Sequence, residues 1–302
     1  MATRKKTPKN RKTATRARST KTVRRPKAAS ARLRKPKKAA GALKATAATA
    51  RGFVRSVQLP PAPELRRGEP GEATKMVLDG SKTQAAVVGS DIISFVSGVT
   101  PERRQDIINS SMFAQLVAQK KVGSSEDPLA WYEAYFDALT RIGWVIQEKT
   151  FAEYHEESRD FSAHEAIGKV AAVLLGGAAT ALAVVQTTLE SLRSMDSGSP
   201  WITLYDRKSR VGRTAHFQAT LVSQEPDGQF LVALMAFSLV AKTTLTQVLF
   251  FRVRTNDATL RHCSGNVTIN TKVLDAIRPT LDERLAAFAL EFVNEVPLPP
   301  AP

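Results

Sequence analysis

Cysteine is nearly absent: Cys263 is the single thiol in 302 residues, which excludes an intramolecular disulfide and a paired-Cys zinc site. It is poorly placed as a nucleophile. It lies in Leu260-Arg-His-Cys-Ser-Gly265, a stretch read as a strand, where His262 and Cys263 point to opposite faces and form no dyad. A buried structural cysteine is the expectation. Histidine is scarce too, with four residues, and His155 and His164 match no metal-site spacing. Also missing are a glycine-rich phosphate loop followed by Lys, a His-Glu-x-x-His pair and a Gly-x-Ser-x-Gly elbow. No catalytic, cofactor-binding or metal residue is assigned, no cofactor is expected, and a non-enzymatic role is favoured.

Acidic residues are absent from residues 1 to 60, which hold 20 of the 44 Lys and Arg. The other 24 face all 28 Asp and Glu, so the rest of the chain is mildly acidic and the net charge of +16 belongs to the N-terminal segment. Residues 1–52 also lack any aromatic residue and hold almost nothing apolar larger than Ala. They cannot bury enough surface to offset the entropy of ordering, and are read as a disordered basic tail. Its cations are the expected nucleic-acid-binding set: Arg4, Lys5, Lys6, Lys9, Arg11, Lys12, Arg16, Arg18, Lys21, Arg24, Arg25, Lys27, Arg32, Arg34, Lys35, Lys37 and Lys38. Each phosphate neutralised releases counterions, so such binding weakens steeply with salt. Without aromatics to stack on bases, the tail has no preference for single strands.

The pieces Arg25-Pro-Lys-Ala-Ala29 and Arg34-Lys-Pro-Lys-Lys-Ala-Ala40, followed by Ala-rich sequence to Ala50, resemble the Lys/Ala/Pro-rich tails of linker histones and bacterial histone-H1-like proteins. The resemblance implies electrostatic engagement of DNA or RNA phosphates without base reading. It covers the tail alone, and a large folded region follows where bacterial H1-like proteins have none. That region, through Trp131-Tyr132, Gly143-Trp144 and Gln147, resembles only uncharacterised proteins and implies no activity. No apolar segment follows the charges in residues 1–50, so a Sec signal is not expected. The expected compartment is cytoplasmic and nucleoid-associated, or nuclear in a eukaryote.

Long hydrophobic runs are also lacking. The one extended apolar segment, Val170 to Val185, falls short of the ~20 residues that span hydrocarbon. Residues 163–195 are read as one buried helix, opened by the capping-box spacing Ser162-Ala-His-Glu165, with large side chains on one side and Ala172, Gly176, Ala179 and Ala183 on the other. Thr100-Pro-Glu and Asp127-Pro128 are two further helix starts. Asp79-Gly80 reads as a hairpin turn. From Trp201 onward the period changes: Trp201–Tyr205, 215–223, 229–241, 246–254 and 259–269 are candidate strands, with 229–241 central and covered on both faces. Thr280-Leu-Asp-Glu283 reads as a last capping box.

The predicted architecture is α+β. An antiparallel meander of about five strands packs on helices in one domain over 72–296, preceded by the tail (1–52) and a Pro/Gly linker (53–71), with a Pro-rich end at 297–302. One internal cluster stands out in this acidic region: Asp206-Arg-Lys-Ser-Arg-Val-Gly-Arg213, read as a loop between two strands. Its Arg207, Lys208, Arg210 and Arg213 are the expected secondary anion contact. His216 and His262 are candidates for a cross-strand pair. The leading functional expectation is tethering to nucleic acid or another polyanion through the tail, with the folded region mediating protein contact or self-association. The alternative is a delivered effector or toxin whose tail is an address and whose helix 163–195 acts on membranes.

Overall fold

The computed structural model describes residues 46–63, 76–155, 160–196, 198–224, 230–254 and 257–299. The fold is α+β, with eight helices and eleven strands among these residues. Most of the expected tail and the latter part of the expected linker, residues 64–71, lie outside them.

One sheet runs in the order β11 (Val293–Val296), β1 (Gln84–Val88), β2 (Asp91–Phe95), β7 (Thr214–Gln224), β8 (Phe230–Ala241), β10 (Ala258–Ile269) and β3 (Trp144–Val145). Two short strands sit beside this path, β4 (Ala152–Glu153) on β10 and β6 (Arg210–Val211) on β7. The expected meander is β7–β8–β10. Its neighbour β2, however, pairs with β7 in parallel, so the sheet is mixed. Parallel neighbours need a crossover, and the helical chain between β2 and β7 supplies it. A separate two-stranded ribbon joins β5 (Asp160–Ser162) to β9 (Arg252–Arg254).

The strands alternate cleanly between two cores. Val88, Ile93, Phe95, Val222, Leu234 and Ala236 point to one face, beneath α2 (Pro101–Val122), α3 (Pro128–Arg141) and α7 (Thr271–Leu285). Val87, Ile92, Phe217, Leu221, Met235 and Phe237 point to the other, beneath α4 (Ala163–Leu175), α5 (Ala179–Arg193) and α6 (Pro200–Ser209). β8 is buried along most of its length, as its unbroken apolar sequence requires. The helix starts at Thr100, Asp127 and Ser162 are all N-caps; Ser162 and Glu165 form the full capping box.

Several sequence expectations are corrected. The single helix over 163–195 is a hairpin of two, broken at Gly176, whose φ of +52° leaves the helical region and is adopted readily by glycine alone. Only one side of that hairpin meets the sheet. Trp201–Tyr205 is not a strand but part of α6, because Ser199-Pro200 is also a helix start, with proline preset at the first helical position. Thr280-Leu-Asp-Glu283 lies inside α7, which Asn270 caps instead. Of 246–254 only β9 is strand. Asp79 caps a local turn by accepting from Ser81 N, while the real hairpin bends at Gly89, with φ +58°, where a Cβ would lie 2.2 Å from Gln115 Oε1.

At the N-terminal side the fold begins earlier than expected. α1 (Ala47–Ser56) crosses the anticipated tail–linker boundary and packs on α7 with Ala50 and Val54 fully buried. Arg51 donates to Ala276 O at 3.0 Å. Arg284 Nη1 reaches back to the carbonyls of Arg55 and Val57 at 3.0 and 2.9 Å. Its low apolar content hides it, since two buried side chains are enough to dock a ten-residue helix.

Candidate anion-binding site

The internal cations are arranged differently from the expected hairpin loop. Arg207 and Lys208 stand on the last turn of α6, Arg210 caps it, and Arg213 follows the short strand β6. The four divide into two groups. Arg213 pairs with Glu126 at 3.6 Å on the surface. Arg207, Lys208 and Arg210 line a polar cavity of about 190 Å³, together with Gln115 and Gln119 of α2, Ser124 and Ser125, Trp131 of α3, His216 of β7 and Phe292.

Within the cavity wall each side chain has a distinct constraint. Arg210 is held by a hydrogen bond from Nη1 to Leu245 O at 2.8 Å. Lys208 is half-buried with Nζ 3.9 Å above the Phe292 ring. Burial, and then the neighbouring Arg207, push its pKa down to about 8. His216 is 8% exposed and stacks on Trp131 with ring centroids 3.8 Å apart. Burial lowers its pKa to about 3, leaving a neutral imidazole at physiological pH. Among the described residues nothing hydrogen-bonds to that ring. The expected His216–His262 pair does not form: His216 sits opposite Ser238 and His262 opposite Phe237, so the two rings occupy opposite faces of the sheet.

Behind the cavity runs a buried polar chain that sequence reasoning missed. Tyr132 Oη donates to Phe217 O at 2.7 Å and accepts from Gln218 Nε2 at 2.9 Å. Ser90 links Gln218 to Gln115, and Gln115 Nε2 reaches Val88 O and Ser111 Oγ. Ser111 and Thr220 both donate to Asp91. All seven side chains are buried. Among the described residues no cation acts on Asp91, and burial pushes its pKa up to about 7. In sequence, Gly89-Ser-Asp91 looks like an ordinary turn and Ser111 like one residue of an apolar helix face. Only the tertiary fold brings them together.

Cys263 is buried with Sγ 3.3 Å from Glu148 O, and burial raises its pKa to about 12. Its thiol stays protonated and unreactive. Among the described residues no three His, Cys, Asp or Glu come close enough to share a metal ion, and no helix is long and apolar enough to cross a membrane. The residues between Lys169 and Glu190 are uncharged and form the tip of the α4–α5 hairpin, where Val173 is 85% exposed.

No protein-family model matches the sequence, and no curated protein matches it. Among solved structures, a delta-endotoxin is similar at 13% identity and a TM-score of 0.35, over 72% of this chain and 97% of the other. The Evf virulence factor is similar at 10% identity and a TM-score of 0.27, over 68% and 85% respectively. Neither likeness is close enough to define a function.

Proposed function

We propose that this protein tethers its folded body to DNA, RNA or another polyanion through the cations of residues 1–52, and that the body is a protein-interaction or self-association module. The observation behind this reading is charge segregation: 20 Lys and Arg with no Asp or Glu in residues 1–60, ahead of a mildly acidic remainder. Docking of α1 supports it, because a cationic segment that ends in a helix anchored on α7 by Ala50 and Val54 transmits any force on the tail to the body. The cations act collectively, so no single Lys or Arg is essential. Binding of the full chain to duplex DNA across a salt series tests the proposal. If about eight phosphates are covered, the log–log slope is near −7. Deleting residues 1–45, which spares α1, should abolish the binding. Retained, salt-insensitive affinity in the deletion refutes the tether.

One observation favours a second reading, a delivered effector whose α4–α5 hairpin acts on membranes. The uncharged stretch between Lys169 and Glu190 would be about 30 Å long if straightened into one helix, near the thickness of the hydrocarbon core. In the fold its inner face is engaged: Val184, Val185, Leu189 and Leu192 are buried, and Ser94 donates to Thr188 at 3.0 Å. Insertion therefore requires the hairpin to leave the sheet. Dye release from liposomes by the full chain supports this reading; intact liposomes exclude it.

A further inference from the structure

We propose that the cavity between α6 and the α2–α3 turn is a binding site for a small phosphomonoester, separate from the polyanion contact of the tail. The cavity gathers three cationic side chains, Arg207, Lys208 and Arg210, in its lining. A charged group held away from water is costly unless an opposite charge offsets it. Lys208 is such a group. It is half-buried against Phe292 and next to Arg207; Glu291 attracts it only from beyond ion-pairing distance, which does not offset its burial, and among the described residues neither Arg207 nor Lys208 has a carboxylate in direct contact. The nearby acid Glu126 is taken by Arg213. A dianion entering the cavity would supply a direct countercharge, which Glu291 provides only at a distance.

The second observation is independent of charge. His216 is more than nine-tenths buried, lines the cavity, and is unpartnered among the described residues. Its ring nitrogens are not among the fully buried unpartnered atoms, so a ligand in the cavity can reach them, and a hydrogen bond formed there replaces one to water. Its stack on Trp131 fixes the ring plane, so the imidazole is held ready rather than free to turn away. Neutral imidazole offers one N–H donor, and guanidinium groups offer the forked geometry that suits phosphate oxygens.

Size sets the ligand class. About 190 Å³ is below the 300–1,000 Å³ typical of sites that enclose drug-sized molecules, so the cavity takes a phosphoryl group with a short stub. Gln115 lines it as well, and both ends of its amide are occupied by Ser90, Val88 and Ser111. That wall is preformed and does not need to rearrange on binding.

The test follows the indole N–H resonance of Trp131 in the full-length protein during addition of glycerol 3-phosphate, with glycerol and sodium sulfate at matched ionic strength as controls. Trp131→Phe identifies the signal. Residues 1–52 contain no tryptophan, so binding to the tail does not move it, and failure of this site is distinguishable from failure of the tether. The expected result is a saturable shift with glycerol 3-phosphate, none with glycerol, and roughly tenfold weaker binding in each of Arg207→Gln and Lys208→Gln. His216→Phe keeps the stack on Trp131 while removing the nitrogen donors, and should also weaken binding. The proposal is overturned by absence of a saturable shift up to about 10 mM, a range that covers even weak complexes. An equal response to sulfate, or unchanged affinity in folded Arg207→Gln and His216→Phe, overturns it as well.

Discussion

Ser111 on α2 donates to the carboxylate of Asp91 on β2 at 2.8 Å, and the two side chains are 1% exposed each. Thr220 on β7 adds a second hydroxyl at 3.0 Å. These donors favour the ionised form, yet burial dominates and raises the Asp91 pKa to about 7. The folded state thus holds this proton more tightly than the unfolded chain, whose Asp titrates near 3.9. Its contribution to stability is fully present below about pH 4 and is lost as pH climbs to about 7. Asp91→Asn mimics the neutral carboxyl. Its stability relative to the parent should rise between pH 4 and 8, by roughly 4 kcal/mol at the upper limit set by 1.36 kcal/mol per pKa unit. Urea denaturation of both proteins at the two pH values checks this, and a constant difference would contradict the assignment.

Arg104 is fully buried and is surrounded by neutral acceptors. It donates to the carbonyls of Val99, Lys82 and Val96 and to Gln84 Oε1, at 2.7 to 3.1 Å, with its guanidinium 5.2 Å from the Phe95 ring centroid. Burial lowers its pKa to about 10, so it remains charged. It ties the turn after Asp79 to the end of β2. Arg104→Met leaves several of those acceptors unsatisfied and should cost about 3 kcal/mol, read from the midpoint of thermal or urea unfolding.

Val173 discriminates between a hairpin and a single buried helix. Its side chain is 85% exposed, so Val173→Lys should change stability by no more than about 0.5 kcal/mol. Val185 lies in the same apolar run but is 3% exposed, and Val185→Lys should prevent folding or cost several kcal/mol. Circular dichroism melts of the two variants make the comparison.

Arg284 holds α1 through backbone carbonyls alone. Arg284→Ala should loosen that helix by about 1–3 kcal/mol without unfolding the sheet. Amide exchange of Ala50–Val54 should then accelerate while exchange in β8 stays unchanged, in the manner of local opening.

What the sequence disclosed, and what it hid, follows physical lines. The α+β class, the three helix starts at Thr100, Asp127 and Ser162, and the strands β7, β8 and β10 were legible because each depends on local chemistry or on a regular period. The break at Gly176 was hidden because Gly176 falls in line with Ala172, Ala179 and Ala183 as the small side of one helix, and composition does not say which face of a helix meets a partner. α6 was hidden because Pro200 signals both a break and a start. The cluster 206–213 was noticed for its charge. Its partition into three cavity-lining residues and one surface pair depends on Glu126 and Leu245, distant in sequence. The chain of buried polar residues from Tyr132 to Asp91 was invisible, because its members are drawn from α2, α3, β2, β7 and the turn at Ser90.

The parallel seam between β2 and β7 has a bearing on how the protein is made. During synthesis the β1–β2 hairpin emerges long before either of its flanking strands, since α2 through α6 separate it from β7 and nearly the whole body separates it from β11. Throughout that interval two apolar edges lie open to other chains. Expression should therefore depend on holding chaperones that cover the nascent hairpin, and slow, non-local pairing at this seam should set the pace of maturation.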